Sequence, residues 1–364
     1  MSRNLLYLYG LAILAVVSNH AAGWGYTAMF WWTHRYRPVT VPNFDRVGTL
    51  PYYGLLIIKQ LSVFSVPAFL FVSGFFVVYA FNLNRSNSEW QIIKVRLVNL
   101  LIPYVIWSFV IFMLDYLLGI RYSLAESVKR LLFGQAAGPY FYIPVICQLY
   151  LLSPFLVRMV KSRWKLLILG AASIQLGIIS WNYLYKFEII SMKPLPASVF
   201  TAWIFYFCLG LLAGHHIHRF MSWLSSFRSQ LTFTVILMAF LAIIGPGYLA
   251  VSTGSPTWLS NTLMISTSLY ATVFLFWFLV NNRSALPFNK EFNLLGKRVY
   301  GIYLIHPIVL MLTSKFIYHV APQILAYQIV YQPILIASAI GMPLILMTIT
   351  SRTRIRKYYR YLFG

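Results

Sequence analysis

The stretch from residue 54 to residue 82 reads GLLIIKQLSVFSVPAFLFVSGFFVVYAFN and carries one charged residue, Lys59. A helix of about 20 mostly apolar residues is long enough to cross the hydrocarbon core of a bilayer. Inside this stretch, Pro67 and the small pair Ser73 and Gly74 indicate a kink or a close contact between helices, and packing is the favoured explanation. Similar apolar runs recur along the whole chain, so the stretch predicts a protein of many membrane spans.

The composition excludes an ordinary soluble domain. Apolar residues make up 60% of the 364 residues, charged residues make up 10%, and the mean hydropathy is +0.73. Soluble domains carry about 25% charged residues, so one or two soluble cores could not bury this much apolar surface. The net charge of +23 does not indicate nucleic acid, because the Lys and Arg residues stand in short clusters between apolar runs. Such clusters are typical of charges that set membrane topology.

We predict an all-α polytopic membrane protein with about ten transmembrane helices. It forms a single domain over residues 1–364, with no separate soluble domain. The predicted spans are 5–24, 54–82, 97–118, 140–158, 166–184, 199–214, 231–249, 261–280, 299–318 and 328–350. Residues 125–133 are expected to form a short amphipathic helix. The first span is interpreted as an uncleaved helix rather than a signal peptide, because many further spans follow.

The distribution of Lys and Arg predicts the orientation of the chain. If the N-terminus is cytoplasmic, the inner segments carry 19 of these residues and the outer loops carry 8. Cytoplasmic loops of membrane proteins are enriched in Lys and Arg. Both termini are therefore predicted to be cytoplasmic, and we expect the protein in the cell membrane as a multi-pass protein.

His20, near the outer end of the first span, is the main catalytic candidate. An ionisable residue inside a span is costly and usually faces a cavity, and histidine is the commonest general base near neutral pH. An interfacial histidine bonded to a backbone carbonyl is the alternative interpretation. Among six acids in the whole chain, Asp45 is the favoured partner for the ring, because its loop directly follows the first span. Cys147 and Cys208 show no metal-ligand spacing, so no metal site is predicted.

Three further segments carry candidate binding residues. Lys94 and Arg96 lie at the cytoplasmic mouth of the third span, where they can bind lipid headgroups or the phosphates of a nucleotide-like donor. The aromatic residues of loop 25–53, Trp32 among them, are typical of a membrane-interface belt but can also stack on a sugar ring. In VYGIYLIHP (299–307), His306 precedes a proline, and its ring is expected to hold the carbonyl that the proline leaves unpaired.

Taken in order, these segments resemble acyltransferase family 3, a family of membrane O-acyltransferases, over about residues 5–350. The similar features are the first helix ending in His20, the PxFxxxSGF pattern of 67–75, the basic pair before Leu-x-Pro-Tyr, PYFYIPVICQLYLLSP (139–154) and YGIYLIHP (300–307). Members of the family usually carry an arginine eleven residues before the motif histidine. In this chain that position is Tyr9.

The resemblance implies transfer of an acyl group, with acetyl or succinyl expected, from cytosolic acyl-CoA to a hydroxyl of an extracytoplasmic or lipid-linked sugar. Acyl-CoA is then a co-substrate, and no permanently bound cofactor is expected. In this interpretation His20 acts as general base or as a nucleophile that forms an acyl-imidazole. The residues that it implies are His20 and Asp45 for catalysis, Lys94 and Arg96 for the donor, and Tyr142, Tyr150, His306 and Trp32 for substrate.

A transporter or flippase of a glycan or a small hydrophobic solute is the alternative function, because ten helices and few charges suit it equally well. The order of the motifs favours the enzyme. The expected partners are the lipid bilayer, the acyl-CoA donor and a glycan or glycolipid acceptor, with no nucleic acid. The sequence does not indicate an oligomeric state.

Overall fold

The computed structural model of the chain describes residues 2–83, 88–253, 258, 263–281 and 287–364. Within these ranges the protein is 84% helical and has no strand, as predicted. Two arginines of the charge count, Arg85 and Arg283, lie outside these ranges, and so does residue 261, the predicted start of the eighth span.

Fourteen helices follow one another within the described residues. In chain order they are α1 (Ser2–Phe30), α2 (Leu50–Leu61), α3 (Ser65–Leu83), α4 (Glu89–Leu117), α5 (Leu124–Leu132), α6 (Tyr142–Lys186), α7 (Ile204–His215), α8 (Ile217–Ser225), α9 (Arg228–Ser252), α10 (Ile265–Asn281), α11 (Asn289–Lys297), α12 (Val299–Val320), α13 (Gln328–Arg352) and α14 (Tyr359–Phe363). The amphipathic helix predicted at 125–133 is α5. Short 3₁₀ segments, such as Ser62–Phe64 and Gly138–Phe141, join some of the helices.

In the part of the chain that the structure describes, seven helical stretches are long and apolar enough to cross a membrane. They are Asn4–Phe30, Leu50–Leu83, Glu89–Leu117, Gly138–Lys186, Arg228–Ala250, Val299–Val320 and Gln328–Arg352. The predicted count of about ten is therefore not confirmed. Two of the other predicted spans correspond to α7 and α10, which are apolar but shorter. The third difference arises because 140–158 and 166–184 both fall within the single stretch Gly138–Lys186.

A kink divides α6 into two helices. The backbone at Arg163 has φ −140° and ψ 47°, which is not helical. Lys161 and Lys165 flank this residue and are exposed with it. The two parts of α6 correspond to the two predicted spans. A kink with exposed basic residues joins them, where the sequence predicted a loop.

The helices differ strongly in burial. The most apolar window of Leu50–Leu83 is 78% buried and that of Val299–Val320 is 61% buried, against 22% for Glu89–Leu117 and 17% for Arg228–Ala250. Consequently α3 and α12 lie in the centre of the bundle, whereas α4 and α9 lie at its edge. Exposed apolar side chains on the outer helices, such as Phe109 and Phe233, suit contact with lipid.

Helices α3 and α7 approach each other through glycines. A Cβ atom on Gly74 would lie 2.3 Å from the carbonyl oxygen of Phe207, and one on Gly210 would lie 2.0 Å from that of Phe71. Neither position has room for a side chain, and small residues of this kind let helix backbones come close. The packing interpretation is therefore confirmed for Gly74. Pro67 lies in the first turn of α3, where its missing N–H costs no helical hydrogen bond.

Candidate active site

A cavity of about 370 Å³ opens in the half of the bundle that is predicted to face outward. His20, Gly23, Trp24 and Thr27 line it from one face of α1, because residues three, four and seven positions apart share a face of a helix. The other lining residues come from α4, from the segment before α6 and from α12: Ile111, Asp115, Ala136, Ala137, Gly138, Pro139, Pro307, Ile308, Leu310 and Met311. His20 therefore faces a cavity, as the cost of a lipid-facing histidine predicts.

His306 repairs the hydrogen-bond pattern of α12. Pro307 has no N–H and cannot bond the carbonyl four residues earlier, which belongs to Tyr303. Nδ1 of His306 lies 2.8 Å from that carbonyl oxygen and 3.2 Å from the carbonyl oxygen of Ile302. A carbonyl can only accept, so Nδ1 is the donor. The structure thus gives this histidine the clamping role that the sequence predicted.

The same ring keeps a second nitrogen free. Nε2 of His306 is buried and has no hydrogen-bond partner among the described residues. With the proton on Nδ1, Nε2 of the neutral ring is an acceptor. The neighbouring ring is His20, with 5.5 Å between the two ring centroids. The two histidines form a pair in which His20 lines the cavity and His306 lies behind it.

Asp115, at the outer end of α4, lines the same cavity as His20. The hydroxyl of Tyr122 donates to its Oδ2 at 3.2 Å. Burial and then the Asp115 carboxylate raise the pKa of Tyr122, so the phenol stays protonated at neutral pH and remains a donor. The guanidinium of Arg130 lies over the Tyr122 ring at 4.2 Å. The cavity therefore presents a carboxylate, held by a tyrosine, together with an imidazole.

The structure does not bring Asp45 to His20. The carboxylate of Asp45 forms an ion pair with Arg37 at 2.8 Å, its side chain is 41% exposed, and it does not line the cavity. Asp45, which the sequence analysis proposed as the partner of His20, is therefore paired with an arginine of its own loop. The loop follows the first helix in the sequence, but this does not bring Asp45 to the cavity that His20 lines.

Arg96 reaches from α4 into the bundle. Its Nη2 donates to the carbonyl of Phe76 at 2.9 Å, and its Nη1 donates to the hydroxyl of Tyr150 at 3.3 Å. The guanidinium also lies 5.4 Å from the centroid of the Tyr150 ring. Lys94 is exposed. The two predicted donor-binding residues are thus placed differently, one inside the bundle and one on its surface.

A run of hydroxyl groups and rings connects the level of Arg96 with the histidine pair. The hydroxyls of Tyr9 and Ser73 are 3.2 Å apart, and those of Ser73 and Tyr142 are 3.4 Å apart. The Tyr142 ring lies 5.7 Å from the Tyr303 ring, which lies 5.9 Å from the His306 ring. We call this run the inner column, and its members are Arg96, Tyr150, Tyr9, Ser73, Tyr142 and Tyr303.

A comparison with known families decides what kind of protein carries this site. The sequence model of acyltransferase family 3, described as an acyltransferase domain, matches residues 5–350, nearly the whole chain. The chain belongs to this family. It is an acyltransferase with several membrane helices, so the transporter alternative is set aside. No curated protein and no solved structure matches the chain.

The first helix of this acyltransferase lacks the arginine that the resemblance led us to expect. Tyr9 stands at that position, eleven residues before His20, about 16 Å away along the helix axis. Tyr9 contacts Ser73 in the inner column, and the arginine of that column is Arg96 of α4, which is bonded to Tyr150.

The remaining substrate-binding candidates of the acyltransferase lie at different depths. The ring of Trp32 packs at a tilt against those of Trp24 and Tyr318, with 5.4 Å and 4.8 Å between ring centroids. It is therefore one ring removed from the cavity. Tyr142 and Tyr150 belong to the inner column and do not line the cavity.

Sequence reasoning missed Asp115. It is the one acid inside the ten predicted spans, and an acid at membrane depth is costly and marks a functional site by default. That signal was present in the sequence and would have singled out Asp115 ahead of Asp45. Ser73 was interpreted only as a packing residue, whereas its hydroxyl also connects Tyr9 with Tyr142.

Proposed function

We propose that this acyltransferase moves an acyl group, acetyl or succinyl, from cytosolic acyl-CoA to a hydroxyl of an extracytoplasmic or lipid-linked sugar, in the cell membrane. The observation that supports this proposal best is the histidine pair at the cavity, because His20 faces the cavity and His306 lies behind it. A base at the wall of a cavity can reach the hydroxyl of a bound molecule, whereas a histidine that faces lipid cannot.

In the direct route, His20 acts as the general base. The acceptor oxygen bonds to the thioester carbonyl carbon while the imidazole of His20 takes the hydroxyl proton. The carbon–sulfur bond then breaks, and the departing CoA thiolate takes that proton from the imidazolium. Such help contributes roughly 10²- to 10⁴-fold in rate.

His306 is proposed as the residue that orients His20. A catalytic imidazole needs a group that fixes its tautomer, and Asp45 is bonded elsewhere. The free Nε2 of His306 can accept a hydrogen bond from one nitrogen of His20, which leaves the other nitrogen unprotonated toward the cavity. A clamped His306 is suited to this task, because its Nδ1 is held by the carbonyls of Tyr303 and Ile302.

An acyl-imidazole on His20 is the other possible route. The unprotonated imidazole nitrogen attacks the thioester carbonyl carbon, the carbon–sulfur bond breaks, and CoA leaves as the thiolate while His20 becomes an acyl-imidazolium. The acceptor oxygen then bonds to the acyl carbon, the carbon–nitrogen bond breaks, and the hydroxyl proton passes to the thiolate. The two routes differ in a measurable way. Only the second leaves a covalent acyl group on the protein when acyl-CoA is supplied without acceptor.

The inner column is the proposed route of the donor. Lys94 and Arg96 stand at its predicted cytoplasmic end, where they can bind the phosphates of CoA through charge-assisted hydrogen bonds. The thin pantetheine arm then extends along the column toward the histidine pair. The side chains of Tyr142 and Tyr303 are in ring contact there, so passage of the arm requires these rings to move apart.

The acceptor is proposed to enter from the opposite side. Trp24 offers a flat ring at the cavity wall, backed by Trp32, and a flat ring can stack on a sugar face. Asp115 can accept hydrogen bonds from sugar hydroxyl groups, while Tyr122 holds its carboxylate in place.

The test is acyl transfer by the purified protein in detergent. Acetyl-CoA and succinyl-CoA are supplied separately, with and without a glycan extract, and free CoA and acylated glycan are measured by mass spectrometry. We expect CoA release that depends on acceptor, with a matching mass increase on the glycan. Absence of transfer from either donor to any hydroxyl would overturn the proposal.

A further inference from the structure

A second cavity, of about 410 Å³, lies at the end of the bundle that is predicted to be cytoplasmic. Its wall is mainly aromatic and apolar, and it includes Trp164 of α6, Phe205 and Leu209 of α7, Phe220 and Trp223 of α8, and Phe276 of α10. We call it the aromatic groove. It shares no lining residue with the cavity at His20, and it contains neither Lys94 nor any member of the inner column.

The aromatic groove has one polar end. Arg219 and His216 belong to its lining. Arg219 is exposed, and it forms no ion pair or hydrogen bond with any described residue. Nε2 of His216 is buried and has no hydrogen-bond partner in the described chain, while its ring lies 6.4 Å from that of Trp164. A cation and a free ring nitrogen therefore stand together beside an apolar wall.

The segments that line the groove carry basic residues and no acid. Lys161, Arg163 and Lys165 are exposed at the kink of α6, next to the groove residue Trp164. The sequence holds no acid between Glu126 and Glu188, nor between Glu188 and Glu291, and these intervals contain every segment that lines the groove. An anion therefore meets no repulsion from these segments.

Helix α8 places the groove at the level of the membrane surface. It is a short amphipathic helix whose Phe220 and Leu224 are buried. Trp223 lies on the same face as Phe220, lines the groove and is 53% exposed. Tryptophan is enriched where the hydrocarbon meets the headgroups, and helices of this kind lie in that interface.

We propose that the aromatic groove binds an anionic phospholipid, with an acyl chain against the aromatic wall and the phosphate at Arg219 and His216. Charge complementarity selects an anionic headgroup, and the apolar wall selects a lipid over a free phosphate. A juxtamembrane Lys or Arg near an anionic leaflet attracts such lipids. This site is separate from acyl transfer and does not depend on the function proposed above.

Native mass spectrometry of the full chain in detergent tests the site. Three probes are compared: phosphatidylglycerol, phosphatidylcholine and sn-glycerol 3-phosphate. We expect one saturable phosphatidylglycerol site, bound roughly tenfold or more tightly than either other probe. Glycerol phosphate lacks the acyl chains that the apolar wall buries, and the choline cation of phosphatidylcholine is repelled by Arg219. Equal binding of the two lipids, or glycerol phosphate binding as tightly as phosphatidylglycerol, would overturn the proposal.

Matched variants locate the site on the protein. Arg219→Gln should weaken phosphatidylglycerol binding by roughly tenfold, whereas Lys161→Gln removes one charge from the same side but outside the groove and should change it little. Trp223→Ala should weaken binding of both lipids, whereas Trp90→Ala, at a tryptophan of similar exposure, should not. Equal loss of phosphatidylglycerol binding in the two charge variants, or equal loss of lipid binding in the two tryptophan variants, would show that the lipid binds over the protein surface and not in the groove.

Discussion

The two ends of the proposed transfer path differ in how their polar groups are satisfied. At the inner end, Arg96 already holds the carbonyl of Phe76 and the hydroxyl of Tyr150. At the outer end, Nε2 of His306 has no partner in the described chain, and His20 faces an open cavity. Leaving a buried polar atom unpaired costs about 1–3 kcal/mol, so such atoms are rare and call for an explanation. The contrast supports the proposal that the inner end binds the donor and that the chemistry takes place at the outer end.

The largest expected effect concerns the sides of the membrane on which the two ends lie. The excess of Lys and Arg in the inner segments predicts that Lys161 is cytoplasmic and that Thr40 is outside. A membrane-impermeant thiol reagent on intact cells should therefore modify Thr40→Cys and leave Lys161→Cys unmodified. Permeabilised cells are the control, because both positions are exposed and should then react. The reverse labelling pattern would place the inner column on the outside and the cavity at His20 on the cytoplasmic side.

The second effect is the loss of acyl transfer when His20, the proposed base at the outer end, is removed. His20→Ala should lower the transfer rate by at least about 100-fold, the lower limit for general-base catalysis. Expression and CoA binding should be unchanged, because the ring faces a cavity and supports no described hydrogen bond. Acylated glycan is measured by mass spectrometry. A variant that transfers at near wild-type rate would remove His20 from the chemistry.

The third effect separates the two nitrogens of His306. His306→Asn places an amide near the position of Nδ1, so it can still donate to the carbonyl of Tyr303, but it removes the acceptor that faces His20. We expect kcat to fall by roughly 10- to 100-fold, because the orientation of a catalytic imidazole contributes to its function as a base. Thermal stability should be close to wild type.

The matched variant for this test is His306→Gln. Its longer side chain carries polar atoms near the position of Nε2 and gives up the bond to the carbonyl of Tyr303. We expect it to lose more stability and less kcat than His306→Asn, and the pH dependence of kcat should shift only in the Asn variant. If both variants lose stability and activity in parallel, His306 only repairs the helix at Pro307.

The fourth effect tests the inner end. Because charge-assisted hydrogen bonds contribute about 1.5–3 kcal/mol each, replacing both Lys94 and Arg96 by alanine should raise the KM for acyl-CoA by tenfold or more. The single variants distinguish the two residues: Arg96→Ala should also lower stability, because it leaves the carbonyl of Phe76 without this donor, whereas Lys94→Ala should not. Unchanged KM in the folded double variant would reassign the pair to lipid headgroups or topology.

Much of this architecture can be predicted from the sequence, because a membrane span is recognised from a long apolar run alone, whatever it packs against. The position of α5 and the clamp at Pro307 also follow from local rules of helix geometry. Loop contacts do not follow from such rules. Asp45 was placed near His20 because their segments are adjacent in sequence, but Arg37 is nearer to it in the folded loop. The break at Arg163 is likewise a matter of tertiary packing, which no apolar pattern contains.

The smallest effect tests whether Asp115 or Asp45 is the acid that contributes to the site at His20. Asp115 lines the cavity with His20. Asp115→Asn keeps an acceptor oxygen and loses only the extra strength that the charge gives the hydrogen bond, about 1 kcal/mol, so it should raise the KM for the acceptor several-fold. Asp45→Asn removes an acid that is paired with Arg37 and partly exposed. The loss of such an exposed pair lowers stability by about 0–1 kcal/mol. Because Asp45 does not line the cavity, the acceptor kinetics should stay close to wild type. Both substitutions keep the shape of the side chain, so acceptor kinetics at saturating acyl-CoA compare the two acids directly. A larger loss at Asp45 than at Asp115 would restore the loop acid as the partner of His20 and require the loop to move onto the cavity during the reaction.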